Sequence, residues 1–289
     1  MNKLLIKSIA LPIALVGTLF CCTVVASPKD YYKSIDAHQK QFEKVALDLW
    51  NFAELGYQET QSAARLQEEL VKEGFTVSSG IADIPTAFKA EYGTDGPVIG
   101  IMGEFDALPG IAQSASPFKE IIDNSTGAGQ ACGHHLFGAG SAWAAVAIKE
   151  WLVANNMPGR IIFYGTPAEE GGSGKVYMAR SGTFDNVDVM LHWHPSSSNH
   201  ASPRSTNSNM SGKFTFKGIS AHAASAPHKG RSALDGVEAM NMMVNMMREH
   251  VPQDSRLHYV ITKGGLAPNV VPDLAQVYYY VRHPRRQVV

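Results

Sequence analysis

The segment Gln130-Ala131-Cys132-Gly133-His134-His135 places a thiol two residues from an imidazole. Both groups are ligands for a borderline-soft cation such as zinc. Further along, Glu169 and Glu170 adjoin each other in the Gly-rich turn Thr166 to Gly172, where two like charges repel unless a cation or solvent screens them. Such a pair can divide the work of hydrolysis, one carboxylate binding metal while the other takes a proton from metal-bound water. His192 and His194 add imidazoles at the end of a strand and are read as pointing to opposite sides, so that at most one of them faces a site. Asp106 is of the right type to orient a ligating histidine. Each piece has a plainer reading: Cys132 as a small buried apolar residue, the Glu pair as a solvated loop, the histidines as ordinary loop side chains. Together they contain the donor types of a hydrolytic metal site. A cysteine hydrolase using Cys132 with His134 or His135 is the competing enzyme class, and it leaves the Glu pair unexplained. A non-catalytic binding protein that keeps a pocket without chemistry is a third reading.

Periodicity places these residues. Tyr31 to Leu55 reads as an amphipathic helix with Phe42, Val45, Ala46, Leu49, Trp50 and Ala53 on one face and Gly56 as its stop; Ser62 to Glu73 reads as a second. Phe88–Tyr92 and Val98–Met102 read as strands joined by the Asp95-Gly96 turn. Leu136 to Val153 is a helix apolar on every side and therefore expected to be buried. Arg160–Thr166 and Val187–Leu191 are apolar enough to be interior strands of an α/β sheet. Glu104 and Asp106 then follow one strand, Glu169 and Glu170 another, His192 and His194 a third. Ligands of open α/β sheets bind beyond the carboxyl ends of the strands. Cys132 and His134 precede the apolar helix, whose positive end favours a thiolate.

Ser196 to Ser211 is rich in Ser, Asn and Pro and reads as a connector. Beyond it the pattern restarts with strand Lys213–Gly218, helix Ser232–Glu249 and strands Leu257–Thr262 and Ala275–Val281. The methionines of that helix (Met240, Met242, Met243, Met246, Met247) read as packing rather than as a cofactor box.

The 289 residues carry 25 basic and 26 acidic side chains, a formal charge of −1 that gives no footing for nucleic acid or an anionic membrane. Met1 to Ala26 reads as an export signal, with Lys3 and Lys7, the apolar run Ile9–Val25 and a small-residue cleavage site before Ser27, so the protein is expected to be periplasmic or secreted. At about 17 residues with a proline inside, that run is at the short limit for a stable membrane anchor. Phe20 is too bulky to precede a lipidated cysteine. Cleavage removes Cys21 and Cys22 and leaves Cys132 alone, which excludes a disulfide scaffold.

Seven motifs carry a resemblance: Glu54-Leu55-Gly56-Tyr57-Gln58-Glu59, Asp106-Ala107-Leu108-Pro109, Cys132-Gly133-His134, Pro167-Ala168-Glu169-Glu170, Trp193-His194-Pro195, Gly218 to Ala223, and Asn269-Val270-Val271-Pro272. In this set the chain resembles the aminoacylase/carboxypeptidase superfamily of two-metal amidohydrolases, in the branch of indole-acetyl-amino-acid hydrolases and aminobenzoyl-glutamate hydrolases. The resemblance implies an α/β, mixed-sheet metallo-exopeptidase-like catalytic domain over 27–205, and over 206–289 an inserted α+β, ferredoxin-like lid domain that makes a homodimer. It implies two divalent ions, zinc or manganese, held by Cys132, His134, Glu170 and His194. Glu169 becomes the general base and Asp106 a support for the ligands. His222 becomes the oxyanion partner lent across the dimer, and Asn269 and Arg282 grip the carboxylate of an N-acyl or N-aroyl amino acid, with aminobenzoyl-glutamate as one candidate substrate. Gln130 stands where the branch has histidine and His135 where it has aspartate or asparagine. Family members also return from the lid to complete the catalytic sheet with a last metal-binding histidine. Roughly a domain's worth of residues, on the order of 100 to 200, is therefore expected to be absent, with both domains incomplete and the chain poorly active alone.

Overall fold

The computed structural model describes residues 28–123, 126–201 and 205–289. The expected leader, Met1–Ala26, lies outside them. No helix among the described residues is long and apolar enough to cross a membrane. The chain divides into two compact units, one through Ser198 and one from Asn199, earlier than the boundary expected after residue 205.

The first unit runs α1 (Pro28–Phe52), α2 (Thr60–Lys72), β1 (Thr76–Ser79), β2 (Phe88–Tyr92), β3 (Val98–Gly103), β4 (Leu108–Pro109), β5 (Ala128–Gly129), α3 (His134–Ala154), β6 (Arg160–Gly165), α4 (Gly174–Arg180) and β7 (Val189–Leu191). Five strands form a mixed sheet in the order β1-β2-β6-β3-β7, with β3, β6 and β7 parallel and the β1/β2 and β2/β6 pairs antiparallel. The expected turn between β2 and β3 does not make them neighbours, because β6 lies between them. The reason is burial on both faces. Ile161 and Phe163 join the core against α1, α2 and α3, while Ile162 and Tyr164 pack on the opposite face with Met178. A strand apolar on both sides belongs inside a sheet, and each such fully buried side chain contributes about 1.5–3 kcal/mol.

Three other expectations change. Helix α1 ends at Phe52, before Gly56, with Ala53 already at φ +42°. Among the described residues strand β7 lies at the end of the sheet, paired with β3, and Val189 and Leu191 are exposed. Helix α3 buries Phe137, Ala139, Ala142 and Val146, yet Leu136 and Val153 face solvent, so it is covered on more than one side but not all round.

The second unit runs β8 (Ser208–Lys217), α5 (Ala233–Met247), β9 (Arg256–Lys263) and β10 (Leu274–His283). Its antiparallel sheet has the order β8-β10-β9. Strand β8 begins inside the stretch read as connector. Ser232 caps α5 by accepting a hydrogen bond from the Asp235 amide at 3.2 Å. Val237 of α5 packs on Ala275, Val277 and Tyr279 of β10. The methionines split: Met240 packs against this core, whereas Met242, Met243, Met246 and Met247 are exposed.

A polar clasp joins α1 to α3. His38 Nε2 lies 2.8 Å from Glu150 Oε1, and its Nδ1 pairs with Gln41 Oε1 at 2.8 Å, with Glu73 Oε1 at 3.7 Å. Burial works against the charged ring, but Gln41, Glu150 and Glu73 outweigh it and hold its pKa above 6.5. A raised histidine contributes stability that is fully present below its unfolded pKa and is lost as pH rises through the folded value. Replacing His38 with Leu is therefore expected to cost more stability at about pH 5.5 than at about pH 9. Urea unfolding at the two pH values measures the difference, and an equal cost would remove the clasp's charge from the account.

Candidate metal centre

Parallel strands β3 and β6 end in the same rank, Gly103 opposite Gly165. Two acidic segments therefore leave the sheet side by side, Glu104–Asp106 and Thr166–Glu170, and the exit of β7 supplies His192–His194. Helix α3 brings His134 to the same rim. Gly138 permits this approach, since a Cβ there would sit 2.7 Å from the Glu104 carbonyl oxygen.

Asp106 ties the rim together. It is 1 % exposed; its Oδ1 lies 3.0 Å from His134 Nδ1, and its Oδ2 accepts a hydrogen bond from the Glu170 amide at 2.8 Å. With Nδ1 directed at Asp106, His134 keeps Nε2 for another partner. The Cys132 Sγ lies 3.5 Å from His194 Nε2. Ligand atoms of Cys132, His134 and His194 all fall within 4.8 Å of one another, and so do those of Glu104, His134 and Glu169. The Glu170 side chain lies beside the Cys132 thiol and raises its pKa.

The donor set fits a cation. Sulfur and imidazole nitrogen bound tetrahedrally to one zinc stand about 3.6 Å apart, given bonds of about 2.3 and 2.0–2.1 Å, and the Cys132–His194 separation matches. Two buried atoms, His134 Nε2 and Glu104 Oε2, have no hydrogen-bond partner. They face one another as an ion pair at 2.9 Å.

The electrostatics run against a bare thiolate. Burial first, then Glu170, Glu169 and Glu104, push the Cys132 thiol up to about 12. The expectation that the helix end favours a thiolate is corrected: burial, and then three nearby carboxylates, outweigh that partial charge. Burial opposes the charged form of His134, but Asp106 and Glu104 prevail and raise it to about 10. Burial also raises Glu169, with Glu104 next in effect. His192 lies near the rim together with His194. Its Nε2 is 3.7 Å from Glu104 Oε1, and its ring meets Phe137 edge-on at 5.0 Å. The expectation that the two rings point to opposite sides is corrected: residues two apart in extended chain share a face, and His192 and His194 both lie near the rim.

Sequence reasoning gave no role to three residues. Glu104, 2 % exposed, is ion-paired with Lys175, which also escaped notice. Glu59 is fully buried, accepting from the Ala168 amide at 2.7 Å and the Thr86 hydroxyl at 3.0 Å. Burial raises its carboxyl to about 7 against those bonds. Ala168 sits at φ +55° just before the Glu pair, a conformation disfavoured for a residue with a Cβ by about 1–2 kcal/mol. The available signal was positional: Glu104 at a strand exit, Glu59 at the end of the first of the seven motifs.

In the second unit, the Ala223 amide donates to the Asn269 carbonyl at 3.0 Å, so His222 and Asn269 lie on facing segments. His222 Nδ1 accepts from the amides of Ala224 and Ser225, both at 3.2 Å, which leaves Nε2 as the protonated nitrogen. Arg282 is elsewhere, at the far end of β10, about 27 Å from Leu274 by the rise of a strand. It bonds Asn209 Oδ1 at 3.3 Å and lies 5.3 Å from the Tyr280 ring. One unit therefore does not bring Arg282 to Asn269.

Residues 204–288 match the peptidase dimerisation domain. The chain is 42% identical over 252 residues to a component of the p-aminobenzoyl-glutamate hydrolase of Escherichia coli strain K12, covering 87% of this chain and 52% of that protein. It is 30% identical over 267 residues to human Xaa-Arg dipeptidase, covering 86% and 57%. The chain thus spans little more than half the length of these relatives. In fold it is similar to the Bacillus subtilis YXEP protein, a dinuclear metal binding peptidase from the M20 family, with TM-score 0.58 and 21% identity over 87% of this chain and 66% of that one.

Filling the Cys132–His134–His194 cluster with zinc must displace the protons that both Cys132 and His134 hold at neutral pH. Affinity is expected to rise with pH, about a hundredfold per unit while two protons are released. Calorimetry in two buffers of different ionisation enthalpy counts those protons; a count of zero would show that these two groups do not bind the ion.

Proposed function

The chain belongs to the M20 family of peptidases and amidohydrolases, and on that premise we propose that it carries the metal-binding part of an amidohydrolase site for N-acyl or N-aroyl amino acids. The supporting observation is the convergence of Cys132, His134 and His194 within 4.8 Å on a rim of carboxylates. The name of the 42%-identical relative makes p-aminobenzoyl-glutamate the first substrate to test. Export, from the Met1–Ala26 pattern, and a homodimer, from the match at 204–288, belong to the same proposal.

Cys132, His134, Glu170 and His194 would hold the ions, zinc or manganese, which when bound supply Lewis acidity and a water of lowered pKa. Asp106 fixes the His134 ring, so that Nε2 is presented without a tautomer search. Glu169 stands above the ordinary carboxylate range, which suits a base that takes a proton near neutrality and returns it to the leaving amine. His222 of a second copy, with its protonated Nε2, is the donor for the developing negative oxygen. Asn269 and Arg282 are candidates for the substrate carboxylate, and their placement at opposite ends of one unit favours contributions from two copies. Arg282 has the planar fork for two parallel hydrogen bonds.

A cysteine hydrolase would also use the 3.5 Å Cys132–His194 pair. The surrounding carboxylates oppose it, since they keep the thiol protonated where a nucleophile needs the thiolate.

Replacing Glu169 with Gln is expected to lower kcat by about 10²–10⁴-fold with bound metal unchanged by elemental analysis. Chelation should abolish activity, with zinc or manganese restoring it. Unchanged turnover in the variant would remove Glu169 from the mechanism. Inactivation by a mild thiol blocker but not by chelators would favour the cysteine reading.

A further inference from the structure

We propose that Glu104 is a further donor to the cation held by His134, with Lys175 anchoring the carboxylate's other oxygen; this rests on the reading of the rim as a metal centre. Glu104 leaves β3 directly and is 2 % exposed. Its Oε1 is ion-paired with Lys175 Nζ, and His192 Nε2 lies 3.7 Å from the same oxygen. Its Oε2 has no hydrogen-bond partner and faces His134 Nε2, which also lacks one, at 2.9 Å. His134 is 0 % exposed, and Asp106 occupies its Nδ1. The two buried atoms are thus barred from water and meet one another as an ion pair at 2.9 Å, the place a shared cation would take.

Their separation suits two donors of one ion. In the octahedral geometry that suits manganese, oxygen and nitrogen each bound at about 2.1 Å stand about 3.0 Å apart, and at the tetrahedral angle of zinc about 3.4 Å apart. Glu169 also offers an oxygen within 4.8 Å of the two. Lys175 has a separate task. By holding Oε1 it limits rotation of the carboxylate, so that Oε2 stays directed at His134.

The test uses the whole protein, stripped of metal and titrated with zinc and with manganese against a chromophoric chelator. Glu104→Gln keeps the shape and removes the charge. It is expected to weaken binding ten- to hundredfold, with an unchanged circular dichroism spectrum and one fewer oxygen or nitrogen neighbour in X-ray absorption of the bound zinc. Glu104→Asp withdraws the oxygen while keeping the charge, and it should weaken binding in the same direction if the Gln variant does not fold. Lys175→Met should weaken binding less and leave the neighbour count intact. Glu104 variants that bind as tightly as the wild type, with the same neighbour count, would overturn the inference and leave the metal centre standing. A wild-type protein that binds neither ion would remove the metal centre itself.

Discussion

The carboxylate of Asp106 holds three otherwise independent pieces of chain in one arrangement. It sits on the exit of β3, grips His134 at the start of α3, and receives the Glu170 amide from the segment after β6. Each bond is to a buried or half-buried group, so losing the acceptor would strand donors away from water at about 1–3 kcal/mol apiece. His134 could turn its ring, and the Glu pair could swing outward, if Asp106 did not fix both.

Around that anchor the protein concentrates negative charge. Glu104, Asp106, Glu169 and Glu170 lie on one rim, with His134 and Lys175 as the nearby positive groups. The thiol and Glu169 rise, burial first and the neighbouring carboxylates next, the imidazole of His134 rises beside Asp106 and Glu104, and Glu104 falls beside His134, His192 and Lys175. The acidic rim thus favours positive charge next to its carboxylates. A proton on His134 supplies part of it, and a divalent ion would supply more while discharging that proton. The backbone is strained at the same place, with Ala168 at φ +55° clasped by Glu59. Stored strain beside the Glu pair accords with a segment shaped for chemistry rather than for packing alone.

Sequence was a good guide where one periodicity dominated. Helices α2, α3 and α5 and strands β2, β3, β6, β9 and β10 lie within a few residues of their expected positions, because their apolar spacing reflects a single buried face or a wholly buried run. It was a poor guide to pairing, which depends on partners distant in the chain: β6 between β2 and β3 follows from two-sided burial that only the assembled layers reveal. At the rim, Cys132, His134, Glu169, Glu170 and His194 were legible by residue type. Lys175 was not, since a lysine near a helix start usually signals solvation, and its pairing with Glu104 exists only in three dimensions. His192 was misjudged because two residues separated by one were read as facing apart, whereas an extended segment puts them on one side. The exposed methionines of α5 were misjudged because an apolar helix face need not have a partner within its own unit.

The shared rank of Gly103 and Gly165 limits how such a chain can vary in length. Deleting one residue within β6 would draw the Glu pair back by about 3.3 Å and turn its side chains to the other face of the sheet. An insertion in the turn that connects α3 to β6 leaves that rank untouched. Length variation is therefore tolerable at the amino ends of the parallel strands and ruinous within them, so these strands act as rulers for the distance between acidic groups.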